Sequence, residues 1–293
     1  MFFYKGKKNT DTKLGKVVII GTSPLAFVLA DVIQNNNYDV SILTSKLEKQ
    51  TFNHTKPFCF KYSNAISHQA SFSFIEDLSS SPDYCILASS LDEISSDFLL
   101  LQNLLLKDVP LINFTSCYSK KLTNKQIIKA FFKGWLQRDK NNIFSLDRSL
   151  EIVFSINKSD YNLSNIFSNQ HMSVSYNEKS FPNFWEQITP FLIANLLLLK
   201  NKQSLSEMLP DKNIRKQIDA ILKEISSLAA KSSEKFDSSK ALATIYAIPS
   251  GYKGDIHLPK SFNNLVSTLT ETNHFDTPYL HNLIVSASNN IIV

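Results

Sequence analysis

The sequence predicts an α/β chain in two parts, a domain of alternating strands and helices over residues 1–180 and an all-helical one over 181–293. Three observations predict it. In the first half, short β-branched apolar runs alternate with helical stretches, the pattern of parallel strands joined by crossover helices. From Phe181 onward the apolar residues recur at the 3.6-residue period of helices. The chain has 293 residues, 43% apolar and 19% charged, enough apolar surface to bury two cores.

In order along the chain, Lys16–Ile20 (KVVII) reads as a buried strand, Gly21-Thr22-Ser23-Pro24 as a tight turn and Leu25–Ile33 as a helix that stops at Asn35-Asn36-Asn37. Tyr38–Leu43 (YDVSIL) alternates like a strand, which completes a first βαβ unit. Phe58–Tyr62 and Ala70–Ile75 alternate like short strands. Asp83–Ala88 (DYCILA), an amphipathic helix over Leu91–Leu106 and Val109–Asn113 form a second strand–helix–strand unit. Leu122–Phe132 reads as a helix, and Leu150–Ile156 and Met172–Tyr176 as strands. Phe181–Leu199 is an apolar helix in which Pro190 predicts a kink. Asp211–Ser233 carries an apolar stripe through Ile214, Ile218, Ile221, Leu222, Ile225 and Leu228, with Asp211 placed to cap it. Ser239–Ile248, Ser261–Glu271 and Tyr279–Ala287 fit further helices.

Composition narrows the function. The net charge of +5 is spread along the chain, which fits a solvated surface and not a nucleic-acid groove. The richest apolar stretches, Asp97–Leu106 and Phe191–Leu199, fall far short of the ~20 residues that span a bilayer. Cys59, Cys85 and Cys117 are isolated and odd in number, so no disulfide framework or metal site is expected, and a cytoplasmic location fits best. Six scattered histidines outline no catalytic triad.

The chemistry concentrates at the first turn. A strand, a glycine turn and a helix at the start of a βαβ unit form the setting in which backbone N–H groups and the helix dipole bind a pyrophosphate. Gly21, Ser23 and Ala26 occupy the three positions of the G-x-G-x-x-G/A fingerprint. Ser23 departs from it: its side chain limits how closely phosphates approach, while its hydroxyl is available to donate to one. The turn Gly21, Thr22, Ser23, Pro24 and Leu25 is thus the candidate pyrophosphate site of a Rossmann-like dinucleotide-binding domain; the plainer reading is an ordinary strand-to-helix turn. At the end of the second strand, where an acid normally binds the ribose 2′-hydroxyl, stand Thr44, Ser45 and Lys46, two hydroxyls and a cation that favour the 2′-phosphate of NADP (NADPH) over NAD. The next strand ends, at Ala88, Ser89, Ser90 and at Asn113, would line the same crevice, although Asn113 equally fits a turn or capping role.

A Rossmann half joined to a helical half resembles the 6-phosphogluconate dehydrogenase-like superfamily, and within it the ketopantoate reductases (2-dehydropantoate 2-reductases), as a divergent member. Four segments carry the resemblance: KVVIIGTSPLAFVLADVIQNNNYDVSIL at the start; NFWEQITPFLIANLLLL over Asn183–Leu199; Ile248-Pro249-Ser250 with Asp255-Ile256; and Asp276-Thr277-Pro278-Tyr279 after Phe262-Asn263-Asn264. Trp185 matches the family's tryptophan, and Asn195 the asparagine that the resemblance implies orients the substrate. Gln187 stands where the catalytic lysine belongs, and Phe191 at an intermediate asparagine position. Ser250 is a candidate donor to the substrate carboxylate, and Asp255 is the one acid in its stretch.

Reduction of a keto group needs a positioned acid or cation for the oxygen that gains charge. Gln187 donates a hydrogen bond but no proton, so activity requires another donor, Lys200, Lys253, His257 or Lys260, or has been lost; Lys253 lies within the Ser250–Asp255 turn and Lys260 just beyond it. For Asn195, a buried amide bonded to backbone stands as the alternative to a substrate role, and for Trp185 packing. The resemblance implies NADPH-dependent reduction of ketopantoate to pantoate in pantothenate (coenzyme A precursor) synthesis. Two alternatives stay open: a non-catalytic dinucleotide-binding protein serving as redox sensor or interaction module, and a reductase of another small 2-keto acid. The apolar helices of the second half fit a homodimer interface as well as an internal core.

Overall fold

The structure, a computed structural model, describes residues 13–53, 57–62, 67–88, 109–114, 127–138, 141–146, 150–156, 163–177, 184–201, 203–231, 235–248, 252, 278–280 and 282–283. Its strands are β1 (Lys16–Ile20), β2 (Asp39–Leu43), β3 (Phe58–Tyr62), β4 (Ser67–Ala70), β5 (Ser73–Ile75), β6 (Tyr84–Leu87), β7 (Leu111–Asn113), β8 (Ile127–Lys133), β9 (Leu136–Arg138), β10 (Ile143–Leu146), β11 (Leu150–Phe154) and β12 (Met172–Tyr176). The helices are α1 (Pro24–Asn35), α2 (Lys46–Asn53), α3 (Ser164–Phe167), α4 (Phe184–Asn201), α5 (Leu205–Met208), α6 (Lys212–Lys231) and α7 (Ser238–Tyr246).

Eight strands form one sheet in the order β12-β11-β8-β7-β6-β1-β2-β5, parallel from β5 through β8, with β11 antiparallel to β8. Chain order reverses at β1, which has β2 on one side and β6 on the other. That is the topological switch point, and the crevice beyond the carboxyl ends of β1 and β6 is where such sheets bind ligands.

A second sheet, β4-β3-β10-β9, lies across α1. Every residue of α1 from Ala26 to Ile33 is buried, as expected of a helix held between two layers. Phe27 of α1 stacks on Phe58 of β3 at 4.6 Å between centroids and lies 5.6 Å from Phe144 of β10. A separate core joins α4, α5, α6 and α7 to Leu280 and Leu283, and it includes Trp135 from the β8–β9 turn. Asp211 caps α6 as expected, its Oδ1 accepting from the Asn213 amide at 2.7 Å. Pro190 lies inside α4.

The structure corrects two local expectations. The helix expected over Leu122–Phe132 is instead strand β8 over its described part: Ile128 and Ala130 point into the core on alternate residues, and pairing with β7 and β11 overrides the local helical spacing. The single strand expected over Ala70–Ile75 is broken, because β4 pairs with β3 in the second sheet while β5 pairs with β2 in the first. Strands β9 and β10 and helices α2, α3 and α5 were not foreseen. The helices expected over Leu91–Leu106 and Ser261–Glu271 lie outside the described residues.

Candidate functional site

The switch-point crevice is built from the ends of β1, β6 and β7. Gly21 follows β1 with φ 105°, a left-handed conformation that favours glycine, and its amide donates to the Leu43 carbonyl at 3.3 Å. Ser23 is the N-cap of α1: its Oγ accepts from the Ala26 amide at 3.2 Å and donates to the carbonyl of Ala88. The hydroxyl that the sequence offered to a phosphate is therefore spent within the protein, joining the β1–α1 turn to the end of β6. Pro24, at the first helical position, has no N–H, and the Phe27 amide goes to the Ser23 carbonyl at 3.4 Å. The Leu25 amide meets no acceptor among the described residues.

These residues fit a dinucleotide pyrophosphate with a reduced donor set. The glycine turn and the dipole of a twelve-residue helix are in place, and the first turn holds no acidic residue to repel phosphate. At the end of β2, Thr44 is 1% exposed and its amide donates to Ile75, whereas Ser45 and Lys46 are exposed at the start of α2. The Ser45 carbonyl accepts from the Lys49 amide at 2.9 Å, so Lys46 sits at the positive end of this helix. A bound phosphate would relieve that unfavourable placement.

Ala88 and Asn113 are buried side by side, with Leu87 in register with Asn113 and the Phe114 amide donating to Leu87 at 3.0 Å. The neighbouring Cys85 is no nucleophile, since burial pushes its thiol up to about 11. The structure thus brings Gly21, Thr22, Ser23, Ala88 and Asn113 together at the carboxyl ends of β1, β6 and β7. Ser89, Ser90, Ser250, Lys253, Asp255, His257 and Lys260 lie outside the described residues.

In the helical half, Trp185 and Gln187 are buried on the first turn of α4. Asn195 is buried about two turns further along the helix, where its Nδ2 donates to the Phe191 carbonyl at 2.7 Å and its Oδ1 accepts from the Tyr252 hydroxyl at 3.1 Å. Tyr252 and Phe191 in turn meet the Trp135 ring at 5.0 and 4.4 Å. The amide thus has the backbone bond foreseen as its alternative role, together with a hydroxyl partner that sequence reasoning missed. Nothing local in the sequence links Trp135 or Tyr252 to Asn195. A further constellation around Asp31 was also missed, although a carboxylate inside the apolar run Leu25–Ile33 was a visible signal.

No family model and no curated protein matches this sequence. Among solved structures, the fold is similar to D-mandelate dehydrogenase in a ternary structure with NADH and anilino(oxo)acetate (TM-score 0.76, 12% identity, covering 94% of this chain and 98% of that one). It is also similar to a ketopantoate reductase from Ralstonia eutropha JMP134 (TM-score 0.73, 13% identity, 94% and 98% covered). A dimeric ketopantoate reductase from Staphylococcus aureus gives a TM-score of 0.70 at 13% identity, with 94% and 99% covered. The chain therefore carries, over nearly its whole length, the α/β-plus-helical fold shared by ketopantoate reductases and D-mandelate dehydrogenase.

Proposed function

We propose that this protein is an NAD(P)H-dependent reductase of a small 2-keto acid, with ketopantoate as the substrate and NADPH as the cofactor in the sharpest form of the reading. The observation that carries it is a two-part fold, shared over 94% of the chain with ketopantoate reductases and an NADH-bound dehydrogenase, whose switch point carries a glycine turn and a capped helix. When bound, the nicotinamide would supply hydride to the keto carbon. For the chain's own part, Gly21 to Leu25 bind the pyrophosphate, Ser45 and Lys46 the 2′-phosphate, and Ala88, Ser89, Ser90 and Asn113 line the crevice. Ser250 holds the substrate carboxylate and Asn195 orients it, while the proton comes from one of Lys200, Lys253, His257 and Lys260, because Gln187 has none to give. A homodimer is part of this reading, supported by the dimeric relative in fold.

One observation favours a second reading. Gln187, at the position of the family's catalytic lysine, is only 6% exposed within the helical core, which suits a scaffold that binds a dinucleotide without turning it over. The experiment follows loss of NADPH absorbance with purified protein and ketopantoate, alongside NADH and a panel of 2-keto acids. Turnover dependent on ketopantoate is the expected result. Turnover with another acid alone moves the assignment to that substrate, and NADPH binding without turnover on any of them favours the non-catalytic scaffold. Absence of dinucleotide binding overturns both readings.

A further inference from the structure

On the far side of α1 from the main sheet, four polar side chains from four segments converge. Asp31 of α1 is 1% exposed. Its Oδ1 pairs with His68 Nε2 of β4 at 2.7 Å and accepts from Asn35 Nδ2 at 3.3 Å, and its Oδ2 accepts from the Tyr62 hydroxyl of β3 at 3.0 Å. Two imidazoles lie nearly parallel to the Tyr62 ring. His171, from the turn before β12, stacks on it at 3.9 Å, and His68 lies nearly parallel to it at 5.8 Å. The His171 Nε2 meets the Gln170 amide at 2.9 Å and its own backbone amide donates to Asn169 Oδ1, which fixes the turn. The same corner is tied to α1 by Asn36, whose Nδ2 donates to the carbonyls of Ile166 and Ser168.

A carboxylate this deeply buried is costly unless paired and hydrogen-bonded, and its one cationic partner among the described residues is a histidine. The His68 side chain is 34% exposed, so protons reach it from solvent while Asp31 stays dry.

We propose that the Asp31–His68 pair, with Tyr62 and His171 stacked beside it, is a proton-operated clamp that holds the second sheet on α1 while His68 is protonated and slackens when it is not. The titratable groups around His68 are Asp31 from α1, which carries the negative charge, His171 from the turn before β12, and Tyr62 from β3, a neutral phenol. The hydrogen bond to Asp31 raises His68 above the ordinary histidine range; burial opposes the rise, and the Asp31 charge adds to it. Burial lowers His171, and so does the charge on His68, against the pull of Asp31. Burial and Asp31 drive the Tyr62 hydroxyl upward, so it stays a donor throughout.

The sign follows by linkage. A histidine raised in the folded chain contributes stability that is complete below its unfolded value of ~6.5 and lost as pH rises through the folded one. His171, lowered on folding, works the other way and withdraws stability as pH falls below ~6.5. The clamp is thus strongest where His68 is charged and His171 is not. Neutral His68 can keep a hydrogen bond to Asp31 through its Nε2–H, so the clamp weakens without springing open.

This inference is independent of the reductase reading, and its test needs no substrate. The thermal midpoint of the wild-type chain is expected to fall by about 3 °C between pH ~6.5 and ~8.5 relative to His68→Gln measured alongside. Over the same range, amide-exchange protection of β3 and β4 should drop relative to that of β1 in the same molecule. NMR titration of the histidine rings in the wild-type protein should show one imidazole titrating above the ordinary range, absent in His68→Gln and returned toward ordinary in Asp31→Asn. If either variant fails to fold, the wild-type titration decides alone. No imidazole titrating above the ordinary range, or one that does so while β3 and β4 stay as protected as β1, overturns the clamp.

Discussion

Ser23 sits at the point where fold stability and ligand binding draw on the same atoms. Its Oγ caps α1 and bridges to Ala88, so Ser23→Ala should cost about 1 kcal/mol of stability from the lost cap, read as a lower denaturant midpoint. Ser23→Gly gives up only a few tenths of that at the cap and lets phosphates approach the backbone. Under the proposed function it should bind NADPH at least as tightly as wild type by fluorescence titration; weaker binding would mean that the hydroxyl reaches the ligand. Lys46, exposed at the start of α2, gives the complementary test of cofactor choice. Lys46→Glu should weaken NADPH by about tenfold, or about 1.4 kcal/mol, and NADH much less, and equal losses would remove the 2′-phosphate assignment. Both positions were legible in the sequence because a fingerprint fixes them by spacing from a strand. Asp31 was harder to place, since its partners Tyr62 and His68 belong to strands that follow it by 31 and 37 residues.

The elements that sequence reading found are those whose signal is local. β1 is a buried β-branched run, β2 and β6 are short, largely buried apolar runs, and α6 has both its stripe and its Asp211 cap. β8 was misread because IIKAFFK places apolar residues at helical as well as alternating spacing, and only pairing with β7 and β11 decides between them. The second sheet was invisible for a related reason: β3 pairs in parallel with β10, some eighty residues on, and no local pattern encodes that choice. Gly134, which follows β8 where the chain leaves the first sheet for the second, gives this crossing a sharp test. It has φ +141°, and a Cβ placed there would lie 2.6 Å from Leu150 Cδ2 of β11. Gly134→Ala should therefore cost about 1–3 kcal/mol from backbone strain, with more from displacing Leu150, measured as a fall in the urea midpoint. An unchanged midpoint would show that the turn relaxes to a conformation open to any residue.

At the scale of the whole molecule, the chain buries two main cores, and Trp135 crosses between them. It belongs by sequence to the β8–β9 turn of the first half, yet it is 8% exposed against Phe191 and Tyr252 in the helical half. The helical core was legible as periodic stripes from Phe181 on, but its seam with the first half was not, because one tryptophan in a turn carries no periodicity. If this ring couples the halves, wild type should unfold in a single cooperative transition. Trp135→Ala should remove about 3–5 kcal/mol of packing from the helical half and leave the first core intact. Calorimetry should then resolve two transitions, the lower one belonging to the helices and accompanied by loss of helical circular dichroism. Tyr252→Phe, which removes only the hydroxyl that meets Asn195, should cost about 1 kcal/mol and keep the single transition. A Trp135→Ala protein that still melts as one unit would show that the coupling is carried by other contacts along the seam, and that the tryptophan merely fills the helical core.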